Sequence, residues 1–178
     1  SLHGLSRDAW KRFSAAGYQH YDVQEIGWKY NMNDIAAALG RVQLAGVERR
    51  LRRRKEIVAH YRAVLTGLPI DLPPLPDPET DHAYHLFAVQ IRPEELSTDR
   101  DGVLNAIQAE NIGVGVHYRG VHLLTGFRCA EVIGWQDLPN ADRVSARTLS
   151  LPLSSAMTDD EVEAACTAVR RVLEWFSC

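Results

Sequence analysis

A proline-rich segment is the feature that most restricts how this chain can fold. Five prolines fall within residues 69–78, and proline both lacks a backbone N–H and clashes with the preceding helical turn. A helix that reaches this segment must therefore stop, and the residues beyond the prolines must begin a separate unit. We predict three parts: residues 1–66 ahead of the prolines, a stiff crossing segment over 67–80, and a second unit over 81–178.

A long helix is predicted immediately before the prolines. Asn33 is a favourable N-cap, and Asp34 places an acidic residue in the first turn, where the helix dipole favours it. Apolar residues then recur at helical spacing, at Ile35, Leu39, Val42, Leu51, Val58, Tyr61 and Leu65. The helix is predicted to run to about Thr66, with Gly46 as a candidate for a bend, and would be about 50 Å long. A rod of that length usually joins two lobes or supports a subunit interface.

The pattern after the prolines predicts a small sheet with helices packed on it. The predicted elements, in chain order, are a strand over 84–92, a helix over 99–110, a strand over 112–118, a short helix over 139–147, a strand over 148–153 and a helix over 158–176. The last helix begins with the capping box Thr158-Asp159-Asp160-Glu161. Strands and helices in this order predict an α+β domain.

Composition places the chain among ordinary globular proteins. With 178 residues, of which 46% are apolar and 24% charged, it can bury the core of one domain or one and a half. The net charge of −3 gives no general attraction to nucleic acid or to a membrane surface. No apolar run approaches the roughly 20 residues that span a bilayer and no signal segment opens the chain, so the cytoplasm is the expected compartment. The 3 widely spaced cysteines lack a C-x-x-C motif and indicate neither a disulfide framework nor a zinc site.

A basic run on the predicted long helix, over residues 48–56, has two interpretations. Its arginines and its lysine are flanked by Glu48 and Glu56, spread around the helix and have no aromatic platform beside them. A solvated or interface face is therefore favoured over nucleic-acid binding.

The octapeptide Gly27–Asp34, which runs into the long helix, is the first candidate site. It comes after a predicted short helix over 6–16 and an extended connection, and it sets charged, amide and aromatic side chains just before a helix N-terminus: Trp28, Lys29, Tyr30 and Asn31. Backbone N–H groups and the dipole at such a terminus favour an anion. The octapeptide is therefore a candidate phosphate site.

The dipeptide His117-Tyr118 is the second candidate site. It ends a predicted strand after two glycines, and binding sites collect at strand ends. A hydrogen-bonded, half-buried histidine is the alternative at this position. No histidine pair has the helical H-E-x-x-H arrangement, so no metal ligand is predicted.

Six sequence blocks, all in the expected order, resemble one protein family. They are His3–Ser6, Gly27–Gly40, the arginine-rich helix, His82–Phe87, Ile112–Tyr118, and Leu149–Leu153 followed by Met157-Thr158. Together they resemble the C-terminal half of the DegT/DnrJ/StrS family of fold-type-I, pyridoxal-phosphate-dependent nucleotide-sugar aminotransferases, over essentially the whole chain. The version most similar to this chain resembles the UDP-4-amino-4-deoxy-L-arabinose-forming aminotransferases.

This resemblance implies a domain for each part of the chain. Residues 1–66 would be the tail of the large domain and the interdomain helix, and residues 81–178 the small C-terminal α+β domain. In the family, the preceding half carries the lysine that binds the cofactor covalently. None of Lys11, Lys29 and Lys55 matches that lysine, so no catalytic residue is assigned here and the chain alone is predicted to be inactive.

The resemblance also implies supporting roles for the two candidate sites. Asn31 matches the residue that reaches from one subunit to the cofactor phosphate of its dimer partner. The residues expected to contact the nucleotide-sugar substrate are Trp28, Lys29, Tyr30, His117 and Tyr118.

The predicted function is based on these assignments. As part of a complete homodimeric enzyme with pyridoxal 5'-phosphate, the chain would help to move an amino group from an amino acid, glutamate, to a nucleotide-linked keto sugar. The alternative is a non-catalytic binding or dimerisation module that kept the fold, which the missing lysine favours. Neither nucleic acid nor a membrane is an expected partner.

Overall fold

The computed structural model describes residues 13–14, 17–18, 23–128 and 137–178. Contacts within the chain divide it into two compact units between Val47 and Glu48, and each unit is described by itself. Within the described residues the architecture is α+β, which confirms the predicted fold class.

The secondary structure consists of short strands and six α-helices among the described residues. In chain order these are β1 (Phe13–Ser14), β2 (Gly17–Tyr18), α1 (Asp34–Ala45), α2 (Val47–Leu65), β3 (Ile70–Asp71), β4 (Phe87–Ile91), α3 (Arg100–Ala109), α4 (Thr125–Arg128), α5 (Pro139–Arg147), β5 (Thr148–Leu151) and α6 (Asp159–Phe176). Two short 3-10 helices lie at Pro93–Glu95 and Val121–Leu123. In the part of the chain that is described, no helix has the length and apolar character needed to cross a membrane.

The first unit contains a hairpin where a helix was predicted. β1 and β2 pair antiparallel, with Phe13 opposite Tyr18 and Ser14 opposite Gly17. The prediction of a helix over 6–16 is therefore wrong at Phe13 and Ser14, and its other residues, 6–12 and 15–16, lie outside those described. Two aromatic residues at helical spacing were a weak signal, and strand pairing overrides a signal of that size.

The predicted long helix is interrupted at Gly46. α1 ends at Ala45 and α2 begins at Val47. Gly46 has φ −103° and ψ 4°, and its N–H donates to the carbonyl oxygens of Gln43 and Leu44. These bonds close the last turn of α1, so the chain forms two helices that meet at the glycine marked by the sequence as the candidate for a bend.

A three-stranded antiparallel sheet lies at the centre of the second unit. The strand order is β3-β4-β5, with β4 in the middle. Phe87, Val89 and Ile91 of β4 are buried, whereas Ala88 and Gln90 between them are half-buried. Because side chains alternate across a strand, one face of the sheet packs into the core. Helices α2, α3 and α6 cover that face with the apolar residues Ile57, Val58, Tyr61, Leu65, Val103, Ile107, Val162, Ala165, Cys166, Val169, Val172 and Leu173.

Two ionisable side chains are enclosed in this core. The ring of Tyr61 lies 5.3 Å from that of Phe87 between centroids, and its hydroxyl donates to the Pro152 carbonyl oxygen at 2.8 Å. Burial raises the pKa of Tyr61 above its usual range and raises the pKa of the Cys166 thiol to about 11. Both groups are therefore neutral near pH 7.

The three predicted strands differ from those observed. The strand predicted over 84–92 is shortened to β4, and the strand predicted over 148–153 is shortened to β5. The strand predicted over 112–118 is wrong. In that segment only Gly115 pairs with the sheet, through a bridge to Ser150. Glycine brings no side chain to pack on a sheet, so the glycines of this segment weaken strand formation.

The capping box predicted at the start of α6 is confirmed. The Thr158 hydroxyl accepts from the Glu161 N–H at 3.2 Å, and the Glu161 carboxylate accepts from the Thr158 N–H at 2.8 Å. We expect Thr158→Ala to lower the free energy of unfolding by about 1 kcal/mol, since the Glu161 N–H at the helix N-terminus loses its hydrogen-bond acceptor. Urea denaturation measures the loss, and Thr80→Ala, an exposed threonine outside any helix, is the control. Equal stability of the Thr158→Ala protein and the wild type would contradict a stabilising cap.

Candidate functional site

The octapeptide forms an exposed, extended segment that leads into α1. Trp28 and Tyr30 are each 73% exposed, and their rings stack with centroids 6.3 Å apart and planes inclined by 18°. Lys29 and Asn31 are exposed on the same segment. Two aromatic faces, an ammonium group and an amide are thus presented to solvent by consecutive residues.

The start of α1 adds hydrogen-bond donors to this segment. The Asn33 side-chain oxygen accepts from the Ala36 N–H at 2.8 Å and so caps the helix. Asp34 places a carboxylate in the first turn, so the helix end alone is a weak anion site. An anion at this end would depend on neighbouring donors, and Asn31 and Lys29 lie shortly before the helix in the sequence. The Asn31 amide forms no hydrogen bond with a described residue, which suits it to bind a phosphate oxygen.

The rest of α1 presents an unburied apolar stripe. No residue of α1 is buried. Ile35, Leu39 and Val42 are 77%, 63% and 69% exposed, and their spacing places them on one face. Soluble proteins rarely leave such a stripe uncovered. The stripe is therefore suited to contact with further polypeptide.

The second candidate site lies at the edge of the sheet in the second unit. His117 and Tyr118 follow Gly115, which bridges Ser150 of β5. Their rings meet edge to face, with centroids 4.8 Å apart and planes at 84°. Tyr118 is 73% exposed, whereas His117 is half-buried.

The two ring nitrogens of His117 differ in their surroundings. Nδ1 is buried and has no hydrogen-bond partner among the described residues, whereas Nε2 is not enclosed. The alternative prediction was a half-buried, hydrogen-bonded histidine. His117 is half-buried as that alternative expects, but its Nδ1 forms no hydrogen bond with a described residue. A ring with one exposed nitrogen retains a group that can contact a ligand.

The structure thus gathers the predicted site residues into two groups, one in each unit. The first group is the run Trp28, Lys29, Tyr30 and Asn31, and the second is the pair His117 and Tyr118. Their roles in binding remain predictions.

The described lysines have surroundings unlike those of a nucleophile. The ammonium group of Lys55 lies 2.7 Å from the Asp81 carboxylate, and this hydrogen bond raises the pKa of Lys55. A raised pKa keeps the amine protonated, whereas a nucleophilic lysine must lose its proton. Lys29 is exposed, and Lys11 lies outside the described residues.

The basic run holds α2 against the rest of the second unit. Arg53 donates to the Met157 carbonyl oxygen at 2.9 Å and lies 2.7 Å from the Asp159 carboxylate. Arg54 donates to the Ala83 carbonyl oxygen at 3.0 Å. These contacts give the run a structural role within the second unit.

One histidine pairing was not predicted from the sequence. His122 lies with Nε2 2.7 Å from the Asp142 carboxylate, which joins the segment after His117 to α5. The two residues are far apart in sequence and share no motif, so the sequence offered no signal for the pair. Among the described residues, no three histidine, cysteine or carboxylate side chains are grouped as a metal site would require.

Comparison with known proteins first identifies the class. The solved structures that resemble this chain include the aminotransferase TlmJ of Streptoalloteichus hindustanus, with a TM-score of 0.73 and 26% identity over 97% of this chain and 42% of that one. Spr1654 of Streptococcus pneumoniae, named as a sugar aminotransferase, gives a TM-score of 0.76 and 28% identity over 98% of this chain and 43% of that one. The fold is therefore that of aminotransferases.

The family is identified by the sequence match. The model of the DegT/DnrJ/EryC1/StrS aminotransferase family matches residues 1–170, and the chain belongs to this family. Spore coat polysaccharide biosynthesis protein SpsC of Bacillus subtilis is 36% identical over 98% of the chain. The uncharacterized protein MJ1066 of Methanocaldococcus jannaschii is 37% identical over 97% of the chain. The chain spans 45% of the length of each of these two relatives.

Proposed function

We propose that this chain is the C-terminal part of a pyridoxal-phosphate-dependent aminotransferase that acts on a nucleotide-linked keto sugar. The match of the aminotransferase family to residues 1–170 carries the proposal. The chain covers only 45% of the length of SpsC, which supports the proposal that it is one part of a longer enzyme. Glutamate is the proposed amino donor, and the enzymes that form UDP-4-amino-4-deoxy-L-arabinose are the proposed functional subgroup.

The cofactor contact assigned to this chain is Asn31. Its exposed amide, next to a helix N-terminus, is a neutral donor that fits a phosphate oxygen. In the proposed homodimer, Asn31 holds the phosphate of the cofactor bound to the partner subunit. When bound, pyridoxal phosphate supplies the electron sink for bond cleavage at the amino-bearing carbon. Spr1654 has been solved in a PLP form, which supports this cofactor.

The proposed substrate contacts come from both groups of candidate residues. Lys29 provides charge for the diphosphate, and the stacked rings of Trp28 and Tyr30 offer apolar faces to the substrate. His117 and Tyr118 provide polar atoms at the sheet edge, where Tyr118 is exposed. These side chains bind and orient the substrate.

The lysine that would move the proton belongs to the other part of the enzyme. Lys55 is held by Asp81 in an ion pair, and Lys29 is assigned to the diphosphate. Without a lysine amine, a transaminase loses both its covalent link to the cofactor and its general base. The chain alone is therefore proposed to be inactive.

The test restores the missing part of the enzyme. The chain is co-expressed with the polypeptide encoded immediately upstream of Ser1, which the proposal requires to contain that lysine. We expect the purified complex to show the visible absorbance of bound cofactor and to transfer the amino group of glutamate to a nucleotide-linked keto sugar, whereas the chain alone does neither. A folded complex without cofactor would contradict the proposal and favour a non-catalytic module.

A further inference from the structure

Ser150 and Gly115 face each other across the sheet edge. The Gly115 N–H donates to the Ser150 carbonyl oxygen at 3.2 Å, and the Ser150 N–H donates to the Gly115 carbonyl oxygen at 2.7 Å. Directly opposed residues of an antiparallel pair project to the same face, with Cβ positions about 5 Å apart. The Ser150 hydroxyl therefore lies on the face where Gly115 has only a hydrogen. Its neighbour in β4 is Ala88, another small residue.

The ring of His117 lies next to Gly115. A Cβ on Gly115 would be 3.4 Å from His117 Cε1 and 4.0 Å from His117 Nδ1. The ring thus packs where the side chain of Gly115 is missing, on the face that carries the Ser150 hydroxyl. A larger residue at position 115 would restrict this packing.

Two polar atoms on this face have no protein partner. Among the described residues, His117 Nδ1 and Ser150 Oγ are both buried and neither forms a hydrogen bond. Ser150 is only 4% exposed. Leaving two such groups unpaired destabilises a fold, and native proteins rarely do so. A single hydrogen bond between the two would satisfy both.

We propose that Ser150 is a positioning residue for His117. After rotation about its χ1 angle, the Ser150 hydroxyl donates to His117 Nδ1, so the proton of the neutral imidazole resides on Nε2. The opposite bond, from Nδ1–H to Oγ, would leave the hydroxyl hydrogen buried without an acceptor. Ser150 thereby holds the ring in place and makes the accessible nitrogen, Nε2, a hydrogen-bond donor.

This role determines what His117 can recognise. A donor at Nε2 binds an acceptor oxygen, such as a phosphate oxygen or a hydroxyl of a nucleotide sugar. The ligand side of the inference rests on the proposed function. The contact between Ser150 and His117 does not, because it lies within this chain.

The test is nuclear magnetic resonance of the ring nitrogens in the ¹⁵N-labelled chain, with the His117 signals assigned by their loss in His117→Gln. We expect His117 to carry its proton on Nε2 and to show the Nδ1 shift of a hydrogen-bond acceptor. In Ser150→Ala, the Nδ1 signal should move to the shift of an unbonded nitrogen. Ser150→Thr, which keeps the hydroxyl, should retain the wild-type shift. Thr148→Val removes a hydroxyl two residues away on the same face of β5 and should leave His117 unchanged.

Two results would overturn the role of Ser150. One is a proton on Nδ1 in the wild type, and the other is an Nδ1 shift that is the same in Ser150→Ala and the wild type. If Ser150→Ala does not fold, the bond is tested in the wild type instead, by the rate at which the Ser150 hydroxyl hydrogen exchanges with solvent. Slow exchange with a cross-peak to the His117 ring supports the bond, and fast exchange contradicts it. The ligand is tested separately: a UDP-sugar that binds the reconstituted enzyme without moving the Nε2 signal counts against the substrate contact alone.

Discussion

Phe87→Ala is expected to lower the free energy of unfolding by about 3–5 kcal/mol, the range for removing a large buried aromatic side chain. Phe87 is 1% exposed in the central strand of the sheet, pairs with Leu151 and packs against the ring of Tyr61. The alanine would leave a cavity between α2 and the sheet, and β4 cannot move to fill it without disturbing its pairing with β3 and β5. Urea denaturation followed by circular dichroism measures the loss.

A phenylalanine in a different environment provides the control for this prediction. Phe127 in α4 is 48% exposed, so Phe127→Ala should cost about 1 kcal/mol or less. The comparison separates burial from the chemical nature of the substitution. If both variants lost the same stability, Phe87 would not be part of a close-packed core.

The sequence predicted those parts of the fold whose signals are local. The cap at Thr158 and the interruption at Gly46 each depend on a few neighbouring residues, and the structure has a capping box at the first and a helix end at the second. The prediction of a strand over 112–118 was wrong because the pairing of this segment is not determined locally. Its apolar residues alternate with glycines, and only contact with β5 determines which of its residues pair with the sheet.

The residues of the first candidate site could be predicted from the sequence, whereas the surroundings of the second could not. The run from Trp28 to Asn31 is contiguous in sequence, so a motif reveals it. The position of Ser150 opposite Gly115 depends on pairing between segments more than 30 residues apart. No local pattern marks Ser150 as a partner of His117, because a serine in a short strand is ordinary.

The largest expected effect on the proposed cofactor site comes from Asn31→Ala in the reconstituted enzyme. A hydrogen bond to a charged group contributes about 1.5–3 kcal/mol, so the dissociation constant of pyridoxal phosphate should rise about 10- to 150-fold. Asn31 is exposed, and its amide forms no hydrogen bond with a described residue. Its removal should therefore leave the fold intact and act on the phosphate alone. Fluorescence titration of the cofactor measures the change.

Two further variants make this prediction specific to the Asn31 amide. Asn31→Asp keeps the shape but replaces a donor by a carboxylate, which repels a phosphate, so it should weaken cofactor binding more than alanine does. Asn105→Ala changes an exposed asparagine in α3 of the other unit and should have no effect. Cofactor affinity that is equal in Asn31→Ala and the wild type would contradict the phosphate contact. An effect of alanine with none from aspartate would mean that Asn31 acts through the shape of its side chain, not through its amide.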